Sequence, residues 1–205
     1  MDIKTIEEKL NNRPIGTVMK HRYFAVLIPL IRQNQRVYVL FEQRASKLKK
    51  TAQPGDICFP GGRIEAGETK VEAALRETEE EIGIPAENIR ILGQFDTVHG
   101  YSGYSIYTFV GEVQYEDYQV RKLNSDEVAE TFLVPLDFFM ENEPYVFTAD
   151  IAEDVSEFPY ELYGVSEDYF WGKSSVEMPL YKYEGRNIWG ITGRIIRALG
   201  KALDK

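Results

Sequence analysis

A run of glutamates around one arginine is the part of this chain best equipped for chemistry. The segment from Gly61 to Ile84 reads GGRIEAGETKVEAALRETEEEIGI. Its pattern predicts a helix over about 69–83, ended by Gly83 and Pro85. At about 100° per residue, Val71, Ala74, Leu75, Thr78 and Ile82 fall within one apolar arc. Glu77, Glu80 and Glu81 fall on the neighbouring arc, because positions three and four apart share a helix face. Glu79 adds charge nearby, and no lysine between Val71 and Ile84 relieves the repulsion. A bound hard cation would relieve it, and carboxylate oxygens are the donors Mg²⁺ prefers. Pro60-Gly61-Gly62, read as a turn, lets the backbone approach that cation and offer a carbonyl. Glu68 is expected to tie the loop to the first helical turn, and Arg76 to pair with Glu80 at i+4. Three glutamates alone would describe an ordinary solvated helix face, so the rest of the chain has to decide.

The elements that position this segment follow from periodicity. Residues 4–11 read as a short amphipathic helix closed by Asn11, Asn12 and Pro14. Strands are expected at Tyr23–Ile31 and Val37–Gln43, separated by a polar turn, and again near 89–96, 104–113 and Thr131–Val134. Residues 44–62 read as a basic loop leading to a short strand. The aromatic-rich stretch 145–183 has no clear period. A final helix is expected at 187–203, carrying Ile188, Ile191, Ile195, Ile196 and Leu199 on one side. Strands mixed with helices predict an α/β or α+β fold, a mixed sheet sandwiched between helices, in one domain spanning residues 1–205.

Composition narrows the function. With hydrophobic residues at 43% the chain can build a core, and a net charge of −9 argues against a grip on the backbones of nucleic acids. Cys58 is the single cysteine, which precludes an intrachain disulfide and fits a reducing cytoplasm. The N-terminal residues lack a basic start followed by an apolar run, so no signal peptide is read there. No apolar stretch approaches the roughly 20 residues a membrane span needs. The expectation is a soluble cytoplasmic protein with neither a nucleic acid nor a membrane as partner.

The full spacing of the acidic segment carries a resemblance. Gly62, Glu68 and then Arg76-Glu77-Thr78-Glu79-Glu80-Glu81-Ile82-Gly83-Ile84 match the signature of the Nudix hydrolases over residues 62–84. Thr78 stands where the signature has an aliphatic residue, and its branched shape should pack there. The resemblance implies a Nudix fold and a Mg²⁺ or Mn²⁺ cofactor. Glu77, Glu80 and Glu81, with the Gly61 carbonyl, would be the metal ligands, and the reaction would be pyrophosphate hydrolysis of a small nucleotide substrate. Members differ in the general base. Glu77 is one candidate, and Glu127 or Glu130 another, with Glu127 favoured.

A second resemblance concerns the substrate. Arg44, Lys47, Lys49 and Lys50 precede Gly55 and Phe59-Pro60-Gly61-Gly62, which resembles the extra motif of the coenzyme A pyrophosphatase branch. Asn124–Glu130, Val134-Pro135-Leu136 and Ile188–Thr192 also look like that branch. Arg44, Lys49 and Lys50, with Gly61 and Gly62, are the substrate-binding candidates. A basic cluster in an acidic chain suits the ribose 3′-phosphate of coenzyme A. The alternatives are ADP-ribose or dinucleoside polyphosphates as substrates, or a non-catalytic nucleotide-binding module. His99 lies in a glycine-rich loop, as a cleft residue or a plain surface histidine. Cys58 and Trp189 are expected in the core. Tyr160, Tyr163, Tyr169, Phe170 and Trp171 are expected to pack, and could instead form a homodimer contact.

Overall fold

The computed structural model describes residues 1–46, 53–152 and 154–204. A twelve-residue strand, β1 (Arg22–Gln33), and β2 (Arg36–Arg44) form a hairpin whose turn residues Asn34 and Gln35 both have positive φ, as two-residue hairpin loops require. The parallel partner of β1 is β7 (Tyr104–Val113), paired from Arg22↔Tyr104 to Ile31↔Val113. Short strands complete this mixed sheet. β3 (Ile57–Cys58) and β8 (Val128–Pro135) pair with β2, β4 (Gly61–Arg63) pairs with β1, and β5 (Ile89–Gln94) and β6 (Val98–Gly100) pair with β7.

Alternation along β1 divides the core. Ala25, Leu27 and Ile31 pack with Ala73, Ala74 and Ile82 of α2 (Lys70–Ile82), while Ile28 faces the other way. There it meets Ile195, Ile196 and Leu199 of the C-terminal helix, together with Phe139. Large aliphatic side chains buried this way stabilise the fold by about 1.5–3 kcal/mol each. The sheet is therefore sandwiched between helices, as its sequence pattern predicts.

Three readings need correction. The glycine pair at 61–62 is not a free turn but the start of β4, hydrogen-bonded into the sheet against β1. Gly61 has φ +149°, and a Cβ there would strike the Ala25 carbonyl, so only glycine fits. The C-terminal helix, α6, begins at Gly190 and runs to Leu203, because residues 186–188 form β11. Ile188 still reaches the core from that strand. Trp189, one residue on in extended backbone, consequently turns outward and is 46% exposed rather than buried.

The stretch 145–183 contributes β9 (Tyr145–Ile151) and β10 (Ser174–Tyr183), which with β11 make a second, antiparallel sheet. Between them, Tyr160 and Trp171 meet Phe158 edge-to-face and Tyr163 meets it tilted, with centroids 5.0, 4.6 and 4.8 Å away, whereas Phe170 is exposed. The first helix, α1 (Ile3–Asn11), is capped by Asp2 and buries none of its residues. No helix among the described residues is long and apolar enough to cross a membrane.

Candidate active site

Helix α2 is held at both ends. Thr69 caps its start in a reciprocal pair with Glu72, at 3.3 and 2.7 Å. Gly83 ends it in the left-handed region, packed so closely on the Lys122 backbone that a side chain would not fit. Thr78 is fully buried and donates to the Ala74 carbonyl at 2.6 Å, which explains how a hydroxyl sits where an aliphatic residue would pack. Glu72 is the acid within the first turn, and Glu68, ahead of the helix, ties loop to helix by accepting the Glu65 N–H and both Arg76 Nε and Nη2, the last two at 3.1 and 3.0 Å.

Arg76 is the hub of the acidic cluster. Besides that bidentate pair, its Nη1 donates to Glu77 at 2.9 Å and Glu80 at 3.2 Å, and its Nη2 reaches the Arg63 carbonyl at 3.1 Å. One guanidinium thus aligns three carboxylates, a task its planar fork suits and a lysine would not. Gly62 lies directly against the Glu77 carboxylate, leaving no room for a side chain there.

Glu81 differs from its neighbours. Read from the helix wheel as one of a surface group, it is only 3% exposed and accepts the Gly61 N–H at 2.8 Å. Burial, then the charge of Glu42, pushes its carboxyl up to about 9, against the Gly61 N–H and Arg44. Glu42 itself, on β2 and 1% exposed, is lifted to about 7 by burial, against a hydrogen bond from Cys58 and the charge of Arg44. Glu77 is raised too, chiefly by burial, although Arg76 opposes the shift.

The loop ahead of β8 is tied to the helix by Asn124 N–H donating to the Glu81 carbonyl at 2.9 Å. Ala45 N–H in turn donates to the Glu127 carbonyl at 2.7 Å, so Glu127 is exposed beside the cluster and its charge is felt by Glu77 and Glu42. Glu130 is engaged elsewhere, paired with Arg186 at 3.1 Å. Arg44 turns inward, its Nη1 3.7 Å from Cys58 Sγ, and lines a cleft of about 390 Å³ with Gly61, Gly62, Phe59 and Thr192. A larger cleft of about 910 Å³ at the start of α2 contains none of Gly61, Gly62, Glu77, Glu80 or Glu81. Lys49 and Lys50 lie outside the described residues. His99 bonds Ser105 Oγ at 2.9 Å and so links β6 to β7.

Whether these residues suit a divalent cation can be judged from their own chemistry. Among the described residues no three acidic, histidine or cysteine groups converge as placed, since Arg76 draws in Glu80 and Gly61 draws in Glu81. The donors are nevertheless all hard oxygens, and buried Glu42 Oε2 has no hydrogen-bond partner. Carboxylates buried together favour either protonation or a cation. The donor set fits Mg²⁺ or Mn²⁺.

The model of the NUDIX domain matches residues 21–151, which contain the whole acidic cluster. The chain belongs to the Nudix family. A curated relative, the peroxisomal coenzyme A diphosphatase of Mus musculus, is 32% identical over 147 residues, covering 70% of this chain and 61% of that protein. Nudix hydrolase 3 of Caenorhabditis elegans is 40% identical over 117 residues, 55% of this chain and 47% of its own length. The chain thus spans about half to three fifths of those two relatives. An uncharacterized Nudix hydrolase, NudL, of Citrobacter koseri is 30% identical over 186 residues, 90% of this chain and 84% of the relative. Among solved structures, a MutT/nudix family protein from Enterococcus faecalis aligns over all of this chain and 71% of its own, with TM-score 0.51 and 18% identity, a likeness of fold.

The Nudix helix also yields a pH prediction. Glu42, Glu77 and Glu81 hold protons in the folded chain that the unfolded chain releases near pH 4.5. Without metal, stability should therefore fall as pH rises from about 4.5 to about 9, since the folded state binds more protons throughout that window. A cation favours the ionised forms, so the gain in Tm from Mg²⁺ should grow over the same range. Thermal unfolding in EDTA and in Mg²⁺ from pH 5 to 9 measures both slopes. Parallel curves would remove the carboxylates from the metal site.

Glu42 is the residue that sequence reasoning missed. Its one signal was a lone carboxylate in Val39-Leu40-Phe41-Glu42, a run otherwise apolar.

Proposed function

We propose that this Nudix chain hydrolyses the pyrophosphate bond of a nucleoside diphosphate joined to a second group, and that coenzyme A or its derivatives are the substrates. The observation that carries the hydrolytic reading is the alignment of Glu77 and Glu80 by Arg76, with Glu81 on the same helix held by the Gly61 N–H beside the cleft that Gly61 and Gly62 line. Glu77, Glu80, Glu81 and the Gly61 carbonyl would hold Mg²⁺ or Mn²⁺, which when bound neutralises pyrophosphate oxygens and acidifies a water. Arg76 holds Glu77 and Glu80 in alignment through its Nη1 hydrogen bonds. Glu127, which makes no salt bridge among the described residues, is the favoured acceptor of the water's proton, because Glu130 is committed to Arg186.

Support for coenzyme A comes from the basic segment ahead of Phe59-Pro60-Gly61-Gly62, from Arg44 in the cleft wall, and from the name of the mouse relative. The products would be 3′,5′-ADP and a 4′-phosphopantetheine species. Steady-state hydrolysis of coenzyme A, dephospho-coenzyme A, ADP-ribose and diadenosine tetraphosphate, with Mg²⁺ or Mn²⁺, tests this. The highest kcat/KM is expected for coenzyme A, and a higher value for another pyrophosphate would reassign the substrate.

Lys49→Ala combined with Lys50→Ala should raise KM for coenzyme A about tenfold, the scale of a lost charged hydrogen bond, and leave dephospho-coenzyme A nearly unchanged. Equal losses on both substrates would put the 3′-phosphate elsewhere.

A further inference from the structure

Leu40 packs with the helix α2 core, and Glu42, two residues along the same strand, shares that face. Its carboxylate is 1% exposed, in a position that its neighbours in β2, Val39, Leu40 and Phe41, fill with apolar side chains. Cys58 Sγ donates to Oε1 at 3.2 Å, fixing one oxygen across the β2–β3 register Glu42↔Cys58. The other oxygen, Oε2, is buried with no hydrogen-bond partner. An ionised oxygen in that state is costly, and a fold keeps it only where something else satisfies it. The same short segment that holds Glu42 through Cys58 holds Glu81 through the Gly61 N–H. The two carboxylates are therefore held by one short segment, Cys58–Gly61, through a side chain and a backbone N–H, on the side of the sheet that faces α2.

We propose that Glu42 is a fourth carboxylate of the divalent-cation site, supplied by strand β2 from outside the 62–84 segment, with Oε2 as its donor. This rests on the metal-dependent reading above. It makes the site a joint product of helix and strand, so the cation clamps α2 onto the sheet. Cys58 acts as a positioning residue that turns the free oxygen toward the helix.

The test is Mn²⁺ binding by the full chain, read from the free-ion signal in electron paramagnetic resonance, without substrate or turnover. Glu42→Gln keeps the shape and removes the charge, and Glu42→Thr is a second, strand-compatible variant. Each is expected to weaken Mn²⁺ at least tenfold while the metal-free Tm rises or holds. Glu81→Gln serves as the reference for the helix ligands. If Glu81→Gln loses Mn²⁺ and both Glu42 variants bind within twofold of the parent, the inference falls and the metal reading stands. If the parent chain itself binds no Mn²⁺, the metal reading fails and takes this inference with it.

Discussion

Glu80→Gln and Glu81→Gln should both abolish pyrophosphate hydrolysis, and they should separate in stability. A ligated cation contributes several kcal/mol of transition-state stabilisation, and each 1.4 kcal/mol or so is tenfold in rate. Losing a ligand should therefore cost on the order of a thousandfold in kcat/KM. Glu80 has a side chain 57% exposed and one i+4 contact with Arg76. Its removal should change the metal-free stability by only a few tenths of a kcal/mol. Glu81 is buried beside Glu42 and takes up a proton on folding at neutral pH, so a glutamine there, neutral in both states, should raise the metal-free Tm. Turnover assays paired with thermal unfolding in EDTA check both. Parental turnover in Glu80→Gln would remove that residue from the metal site.

Arg76→Ala should be damaging in both respects. It strands Glu68 and Glu77, whose side chains are each 17% exposed, and releases Glu80. Removing one partner of a paired, largely buried group costs more than the pair was worth, because the remaining charge is left uncompensated. The denaturant midpoint should fall at unchanged m-value, and kcat/KM should fall roughly 10–100-fold, as for partners that orient metal ligands. Arg76→Lys should recover little of either, since an ammonium cannot make the bidentate contact with Glu68 and still reach Glu77. A lysine variant with parental turnover would show that charge alone is needed at this position.

The two strands flanking the polar turn and the Nudix helix are readable because each is a pattern of residues near one another in the chain, whereas the pairing of β1 with β7 joins residues far apart. Gly83 at the helix end and the arc of Val71, Ala74, Leu75, Thr78 and Ile82 are such patterns, while the Thr69–Glu72 cap emerges only in the structure. The C-terminal helix starts three residues later than its apolar stripe predicts, because Ile188 is buried on a strand at a position that also suits that stripe. The outward Trp189 follows from the same strand. The second sheet is not legible in the sequence, since β9 and β10 are separated by the aromatic stretch 152–173 and pair only through tertiary structure.

The sequence by itself determined the chemistry on offer: hard oxygen donors three and four residues apart, an arginine at i+4 range, and glycines where the backbone must come close. A single helix can encode that, because its geometry is set by short-range hydrogen bonds. Tertiary structure alone decided which of those carboxylates are buried. Glu81 leaves the surface group only because β4 offers it the Gly61 N–H, and Glu42 is buried only because β2 turns its Leu40–Glu42 face toward the core that α2 closes. Burial depends on what packs across the sheet, and the residues that create it lie in other segments of the chain.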